Sequence, residues 1–332
     1  MTELPEQPFD GLSPERVCDA VEQHGLVSDG RLLALNSFEN RVWQVGLEDD
    51  VPVIVKFYRP GRWSDAAIEE EHRFSLELVA TDLSVVAPLA YQGRTLHHLE
   101  GFRYAIFPRQ GGHAPEPAHR PTLLVLGRAL GRMHACGRAK RFEHRPELSI
   151  QRWGREPVDW LLANRWVPMG LESAFEQLAN HLLEAIEATW QRAGDFRTLR
   201  LHGDCHPGNI LWRYDQAHFV DLDDCLTGPA IQDLWMLISG ERADREEQFG
   251  WLLEGYRQFS EFDPAERHLI EPLRTLRMIN HQAWLARRWN DPAFPRAFPW
   301  FADERHWENV LQQLREQLDE LQQPPLSILP EH

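Results

Sequence analysis

A chain of 332 residues with 42% hydrophobic and 26% charged residues is long enough to bury a large core and too apolar to stay disordered. Its net charge of −16 argues against a nucleic-acid backbone as partner, because phosphate binding needs a basic surface. There is no apolar run of about 18 residues and no basic-then-apolar leader, so a cytoplasmic location with no membrane partner is expected, and a monomer is expected without a sequence signal that bears on it.

Cys18, Cys136, Cys205 and Cys225 lack CxxC pairing and disulfide-framework spacing, which fits a reducing compartment. In chain order, Ser13 is placed to cap a short helix that ends before Gly25. Alternating apolar residues then predict antiparallel strands over 31–35, 41–45 and 51–58, separated by a polar turn at 36–40 and an acidic turn before Val51. Lys56 is the only lysine of that segment, and inside an apolar strand it needs a partner. A helix over 64–80 offers Glu69, Glu70 and Glu71, of which Glu71 lies at the edge of the apolar face. Further strands are expected at 85–89 and 102–107, followed by a linker of Gly111, Gly112 and a Pro-rich tract up to Pro121.

Beyond Pro121 the periodicity becomes helical over 123–136, 159–166 and 171–192. The stretch Leu201 to Trp212 interrupts it with one carboxylate, two imidazoles and a carboxamide around a Pro207-Gly208 turn. A charged turn at 213–216 links it to a second short strand that delivers Asp221, Asp223 and Asp224. A strand hairpin of this kind sets Asn209 and Asp221 side by side. Helices are expected over 245–259, 264–289 and 303–322, with an aromatic connector at 294–301.

Phosphoryl transfer requires a carboxylate near the acceptor hydroxyl, oxygen ligands for Mg²⁺, and a cation on the nucleotide phosphates. The chain presents all three in the order a kinase does. Lys56 would hold the α/β-phosphates with Glu71 orienting it, Asp204 would act as base, and Asn209 and Asp221 would bind metal. The five-residue interval from Asp204 to Asn209 matches the Asp-to-Asn spacing of a kinase catalytic loop.

The segment His202-Gly203-Asp204-Cys205-His206-Pro207-Gly208-Asn209, followed by Phe219-Val220-Asp221-Leu222-Asp223, resembles the aminoglycoside phosphotransferase and choline kinase-like branch of the protein-kinase fold. The stretches 35–42, 55–60, 228–235 and 291–295 extend the likeness over nearly the whole chain, to a bacterial group of stress-response kinases within that branch. The resemblance implies an α+β bilobal fold. An N-terminal nucleotide-binding lobe would span 1–107 and a mostly helical catalytic lobe 108–332, with a hinge at about 107–112. It also implies a cytoplasmic, Mg²⁺-dependent enzyme that moves phosphate from ATP to serine and threonine residues of proteins. Asp204 and Asp221 would be its catalytic pair. No Gly-x-Gly-x-x-Gly is present, so Ser37 and the backbone of turn 36–40 must cover the phosphates. No Ala-Pro-Glu segment follows, and switching by loop phosphorylation is not expected.

Three other readings stay open at this level. A kinase of small alcohols such as choline, aminoglycosides or homoserine needs the same residues. His202, Asp204 and His206 with the downstream aspartates also suit a metal-dependent hydrolase, although such a site has no role for Lys56. A catalytically weak binding module of kinase shape is the third. Asp223 and Asp224 are open between metal contact and solvent, while Asp233 and His206 are expected to hold the loop in shape. The 13 tryptophans are expected mainly as core, with Trp284 to Phe301, including Arg287 and Arg288, as a lining for the acceptor side.

Overall fold

Ser13 caps the first helix as expected: its side chain accepts from the Arg16 amide, and α1 runs Pro14–Glu22. The computed structural model describes residues 7–48 and 51–328, so most of the acidic turn expected before Val51 lies outside the described residues. Five antiparallel strands follow, β1 (Ser28–Ala34), β2 (Arg41–Leu47), β3 (Val53–Tyr58), β4 (His97–Leu99) and β5 (Phe102–Pro108), in the order β1-β2-β3-β5-β4. Between β3 and β4 lies α2 (Asp65–Ala80), capped by Ser64. The two-residue period of β3 sends Val53, Val55 and Phe57 to the back of the sheet, where they pack with Val17, Ala20 and Val21 of α1. The same period sends Ile54, Lys56 and Tyr58 to the opposite face, where the Tyr58 hydroxyl meets His72 of α2 at 2.7 Å. Strand parity therefore decides which side of the sheet receives the lysine.

Residues 85–89 are not a strand. Val85 makes one parallel bridge to Phe219, and Pro88, which has no N–H, cannot continue a ladder. The linker expected up to Pro121 is shorter than read, because α3 (Arg120–Gly137) takes Pro121 into its first turn, where a missing amide hydrogen costs nothing.

The larger lobe is mostly helical. A π-helical turn at Gln151–Arg155 leads into α4 (Glu156–Ala163), then come α5 (Glu172–Ala193), α6 (Ile231–Leu234), α7 (Arg242–Tyr256), α8 (Ile270–Arg287), α9 (Ala293–Ala297) and α10 (Glu304–Gln322). The single helix expected over 264–289 is a 3₁₀ segment, Pro264–Leu269, followed by α8. Two strand pairs are set among the helices: β6 (Thr198–Leu201) with β9 (Leu226–Pro229), and β7 (Ile210–Arg213) with β8 (Gln216–Phe219). The β6–β9 pair went unread because neither four-residue strand shows a clear alternation. α3 and α7 meet backbone to backbone: a Cβ on Gly127 would lie 2.1 Å from the Leu252 carbonyl oxygen. One core gathers α3, α7 and the site strands, and a second gathers α4, α5, α8 and α10 around the fully buried Trp307 and Phe175. Each such buried side chain contributes about 1.5–3 kcal/mol. Trp307 and Trp235 are core as expected, whereas Trp300 is exposed.

Candidate active site

β6 ends at Leu201, and its continuation His202-Gly203-Asp204 is shaped by α6. The Asp233 carboxylate accepts from the His202 amide at 2.9 Å and the Gly203 amide at 2.8 Å, and Gln232 donates to the Gly203 carbonyl at 2.8 Å. Gly203 is required twice over: its φ is +85°, and a Cβ would lie 2.2 Å from the Asp224 carbonyl oxygen. His202 is buried with Nε2 2.9 Å from the Val220 carbonyl, and His206 Nδ1 accepts from the Gly208 amide. Both imidazoles thus hold the loop, and His202 does not face Asp221 as a metal-hydrolase site would need.

Asp204 projects from this loop with its side chain 22% exposed. Asn209, at the end of a 3₁₀ turn, donates its amide to the Asp204 carbonyl oxygen at 3.0 Å and to Oδ2 at 3.3 Å, which leaves the Asn209 amide oxygen free to face a cation. The β7–β8 hairpin turns at Tyr214 and Asp215, both at positive φ, as a two-residue hairpin loop requires. It returns the chain so that the Val220 amide bonds the Asn209 carbonyl at 3.0 Å. The next residue, Asp221, is in the left-handed conformation (φ 59°, ψ 66°), a strain for a non-glycine residue of the kind that collects at functional sites. That twist presents its carboxylate, 48% exposed, to Lys56 across the cleft at 2.8 Å.

Lys56 is buried and has three acidic neighbours: Asp221 at 2.8 Å, Asp223 at 3.4 Å and Glu71 at 3.6 Å. Burial disfavours its ammonium, but Asp221, Asp223 and Glu71 hold its pKa above the ordinary lysine value. Glu71 is the glutamate that reaches Lys56. Glu70 is spent on the backbone amides of Glu143, His144 and Arg145, and Glu69 is exposed. Burial raises the Glu71 pKa to about 7, against the pull of Lys56 and with help from Asp223. A carboxyl raised from 4.5 favours the fold below its unfolded pKa and loses that contribution as pH rises through about 7. Glu71→Gln is therefore expected to unfold at higher temperature than the parent at pH 8 and close to it at pH 5. Its phosphotransfer should lose the rise through pH 7 that ionised Glu71 gives the parent. Thermal melts and a pH–rate profile check both, and identical profiles would defeat the pairing.

Asp223 is buried and Asp224 keeps a half-exposed side chain, and both are paired with a cation. Arg62, just beyond β3, pairs with Asp223 and also with Asp224, the latter at 2.5 Å. Asn40 donates to Asp223 at 3.0 Å and accepts from the Arg59 amide at 3.1 Å, which pins the turn 36–40. In that turn Glu39 binds Arg59, Trp284 and Arg288, while Asp291 holds Arg41 and Arg59. Glu39, Asn40 and Asp291 lie in stretches that carry the family likeness, but neither they nor Arg62 could be given partners from sequence, because those partners lie up to 250 residues away. Arg277 was also missed: its Nη1 lies 2.5 Å from Asp204 Oδ1. Burial would raise the Asp204 pKa, but the His206 hydrogen bond and the Arg277 charge hold it well below the usual carboxylate range.

Between the lobes lies a cleft of about 370 Å³. Leu35, Val42, Ile54, Val86, Phe107 and Leu211 form its apolar end, with Pro108 and Gln110 at and just after the end of β5 beside them. Ser37, Lys56, Glu71, Asn209 and Asp221 form its polar end. An apolar slot for a flat base that opens onto a cation and two oxygen donors suits a nucleotide. The oxygen-only pair Asn209 and Asp221 suits a hard divalent ion such as Mg²⁺. Among the described residues, no group of three or more His, Cys, Asp or Glu is placed to hold a metal, and no helix is long and apolar enough to cross a membrane.

The model of the phosphotransferase enzyme family matches residues 31–270. Stress response kinase A of Escherichia coli (strain K12) is 46% identical over 322 residues, 97% of each chain. The serine/threonine protein kinase RdoA of Salmonella typhimurium (strain LT2) is 47% identical over the same length and coverage. The solved structure of amicoumacin kinase hAmiN, in complex with AMP-PNP, Ca²⁺ and Ami, superposes with a TM-score of 0.71 at 18% identity, over 98% of each chain, which shows a shared fold.

Proposed function

Because the chain belongs to the phosphotransferase enzyme family, as a relative of stress response kinase A, we propose that it moves the γ-phosphoryl group of ATP to serine or threonine hydroxyls of proteins in a bacterial stress response. Family membership implies ATP-dependent catalysis. The observation that carries the reading is that Asn209 and Asp221 line the polar end of an interlobe cleft, with Asp204 bonded to Asn209 and Lys56 bonded to Asp221. In this reading the lobes divide at about 107–112 and the enzyme works in the cytoplasm.

Each side chain then has one task. Lys56 leaves Asp221 for the α/β-phosphates, with Glu71 behind it and Ser37 in the turn above. Asn209 and Asp221 hold Mg²⁺, which supplies charge neutralisation on the phosphates. Asp204 accepts a hydrogen bond from the acceptor hydroxyl. Its depressed basicity suits it to orienting that hydroxyl and taking the proton late, after most of the phosphoryl bond has formed. A protein acceptor is favoured over an amino alcohol by Arg277, since a guanidinium on the catalytic carboxylate repels a cationic acceptor. Labelled ATP with Mg²⁺, offered with protein substrates and separately with amino alcohols, is expected to label protein. Label confined to the small molecules would replace this reading with an alcohol kinase, and no label would leave a binding module.

A further inference from the structure

α8 carries Arg274, Arg277, His281 and Trp284, with Arg288 at its C-cap, at successive spacings of three, four, three and four residues. That spacing sets them in one stripe along the helix. The C-terminal part of the stripe serves the turn above the nucleotide cleft: Trp284 Nε1 donates to Glu39 at 2.7 Å and Arg288 Nε donates to the same carboxylate at 3.1 Å. Towards its N-terminal part, Arg277 reaches the catalytic loop and lies against Asp204. Between them His281 stacks on Trp284 and faces solvent. Arg274 pairs with Glu271 and Arg288 with Glu39, so Arg277 is the guanidinium of the stripe that lies beside the carboxylate an acceptor must reach.

The Arg277 guanidinium bonds Asp204 while its own side chain stays 38% exposed and that of Asp204 22% exposed. A hydroxyl that comes to hydrogen-bond Asp204 must share or displace that contact. If the guanidinium is displaced, a negative group on the incoming chain gives it a new partner, whereas a positive group meets repulsion at the same spot. A neutral side chain does neither. Arg277 lies outside the segment that carries the transfer chemistry, so selecting the acceptor is a separate task from moving the phosphoryl group.

We infer that Arg277 is a specificity-determining residue that selects serine or threonine hydroxyls flanked by acidic side chains. The inference rests on the protein-kinase reading above.

The test uses the full chain with ATP and Mg²⁺ and three serine peptides of equal length, with aspartate and glutamate, neutral, or lysine and arginine flanks. Choline and an aminoglycoside serve as small-molecule arms. One charge-assisted hydrogen bond corresponds to about tenfold in kcat/KM for the acidic over the neutral peptide, carried in KM. Arg277→Lys should keep the preference, Arg277→Gln should reduce it to within about twofold, and Arg277→Glu should reverse it in favour of the basic peptide. A residue that merely supported the fold would lower all three peptides together. Peptides labelled without an acidic preference, or a preference that survives Arg277→Gln, overturn the inference and leave the protein-kinase reading intact. Label on choline or the aminoglycoside with none on any peptide overturns the protein-kinase reading itself.

Discussion

The Asp204→Ala protein is expected to bind ATP as the parent does and to transfer its phosphoryl group about 10³-fold more slowly. Nucleotide affinity survives because Lys56, Glu71 and Asp221 line the cleft from other elements and make no bond to Asp204. The fold survives because the Asp204 carboxylate is at the cleft surface and supports little beyond Arg277, His206 and the Asn209 amide. Two effects combine in the lost rate. The acceptor hydroxyl loses the group that orients it, and Arg277 is left without its carboxylate in the acceptor's path. Asp204→Asn separates them, since the amide keeps an acceptor oxygen for Arg277 while removing the charge. It should fall between the parent and Asp204→Ala. Single-turnover transfer from labelled ATP, beside a nucleotide-binding titration, measures both quantities. Full transfer by Asp204→Ala would remove Asp204 from the mechanism.

The grouping of Asp204, Asn209 and Asp221 was legible in the sequence because its signals are local. Asp204 and Asn209 lie on one loop, and a two-residue turn returns the chain to Asp221. Lys56 stood out as a charge in an apolar strand, and strand parity then fixed the side it faces. The groups that were not legible share a different property. Arg62 meets Asp223 across 161 residues, Asn40 meets Asp223 across 183, and Trp284 meets Glu39 across 245. No periodicity encodes such pairs, because each partner alone looks like an ordinary polar surface residue. Asp223 and Asp224 show the consequence. In sequence they sit beside the proposed metal ligand Asp221 and invite the same role, whereas in space the Arg62 guanidinium pairs with both carboxylates. Arg277 hid on a helix for the same reason, as one of several arginines on an amphipathic pattern.

These long-range pairs also bear on how the cleft is held. Glu71, Asp221, Asp223 and Asp224 are four carboxylates around one small volume, and Lys56 and Arg62 are the cations set among them. Lys56 pairs with Asp221, the residue proposed to hold metal. In the proposed mechanism, nucleotide with its divalent ion would bring both a new partner for the lysine and a new partner for the aspartate. Binding is thereby an exchange of ion pairs, with no buried charge left alone at either end.

The stability of the loop rests on Asp233, and Asp233→Ala is expected to cost about 3–5 kcal/mol. Its carboxylate is fully buried and accepts from three directions: the His202 amide at 2.9 Å, the Gly203 amide at 2.8 Å, and His134 Nε2 at 3.0 Å. Alanine leaves two backbone donors and the His134 Nε2 in a dry core without this partner, and it leaves Gly203 held in its left-handed conformation by Gln232 alone of the two side chains that bond it. Asp233→Asn is the sharper probe, because it keeps the size and one acceptor oxygen while placing an NH₂ against one of the two amides. It should recover only part of the loss. The two kinds of defect are separable by denaturant titration and by kinetics at low temperature. Asp204→Ala should unfold with the parent and fail to transfer, while Asp233→Asn should unfold earlier and transfer slowly even where it is folded, because the loop that aims Asp204 is no longer fixed. A variant at Asp233 with the parent's unfolding midpoint would show that the His202-Gly203 backbone is held by something other than this carboxylate.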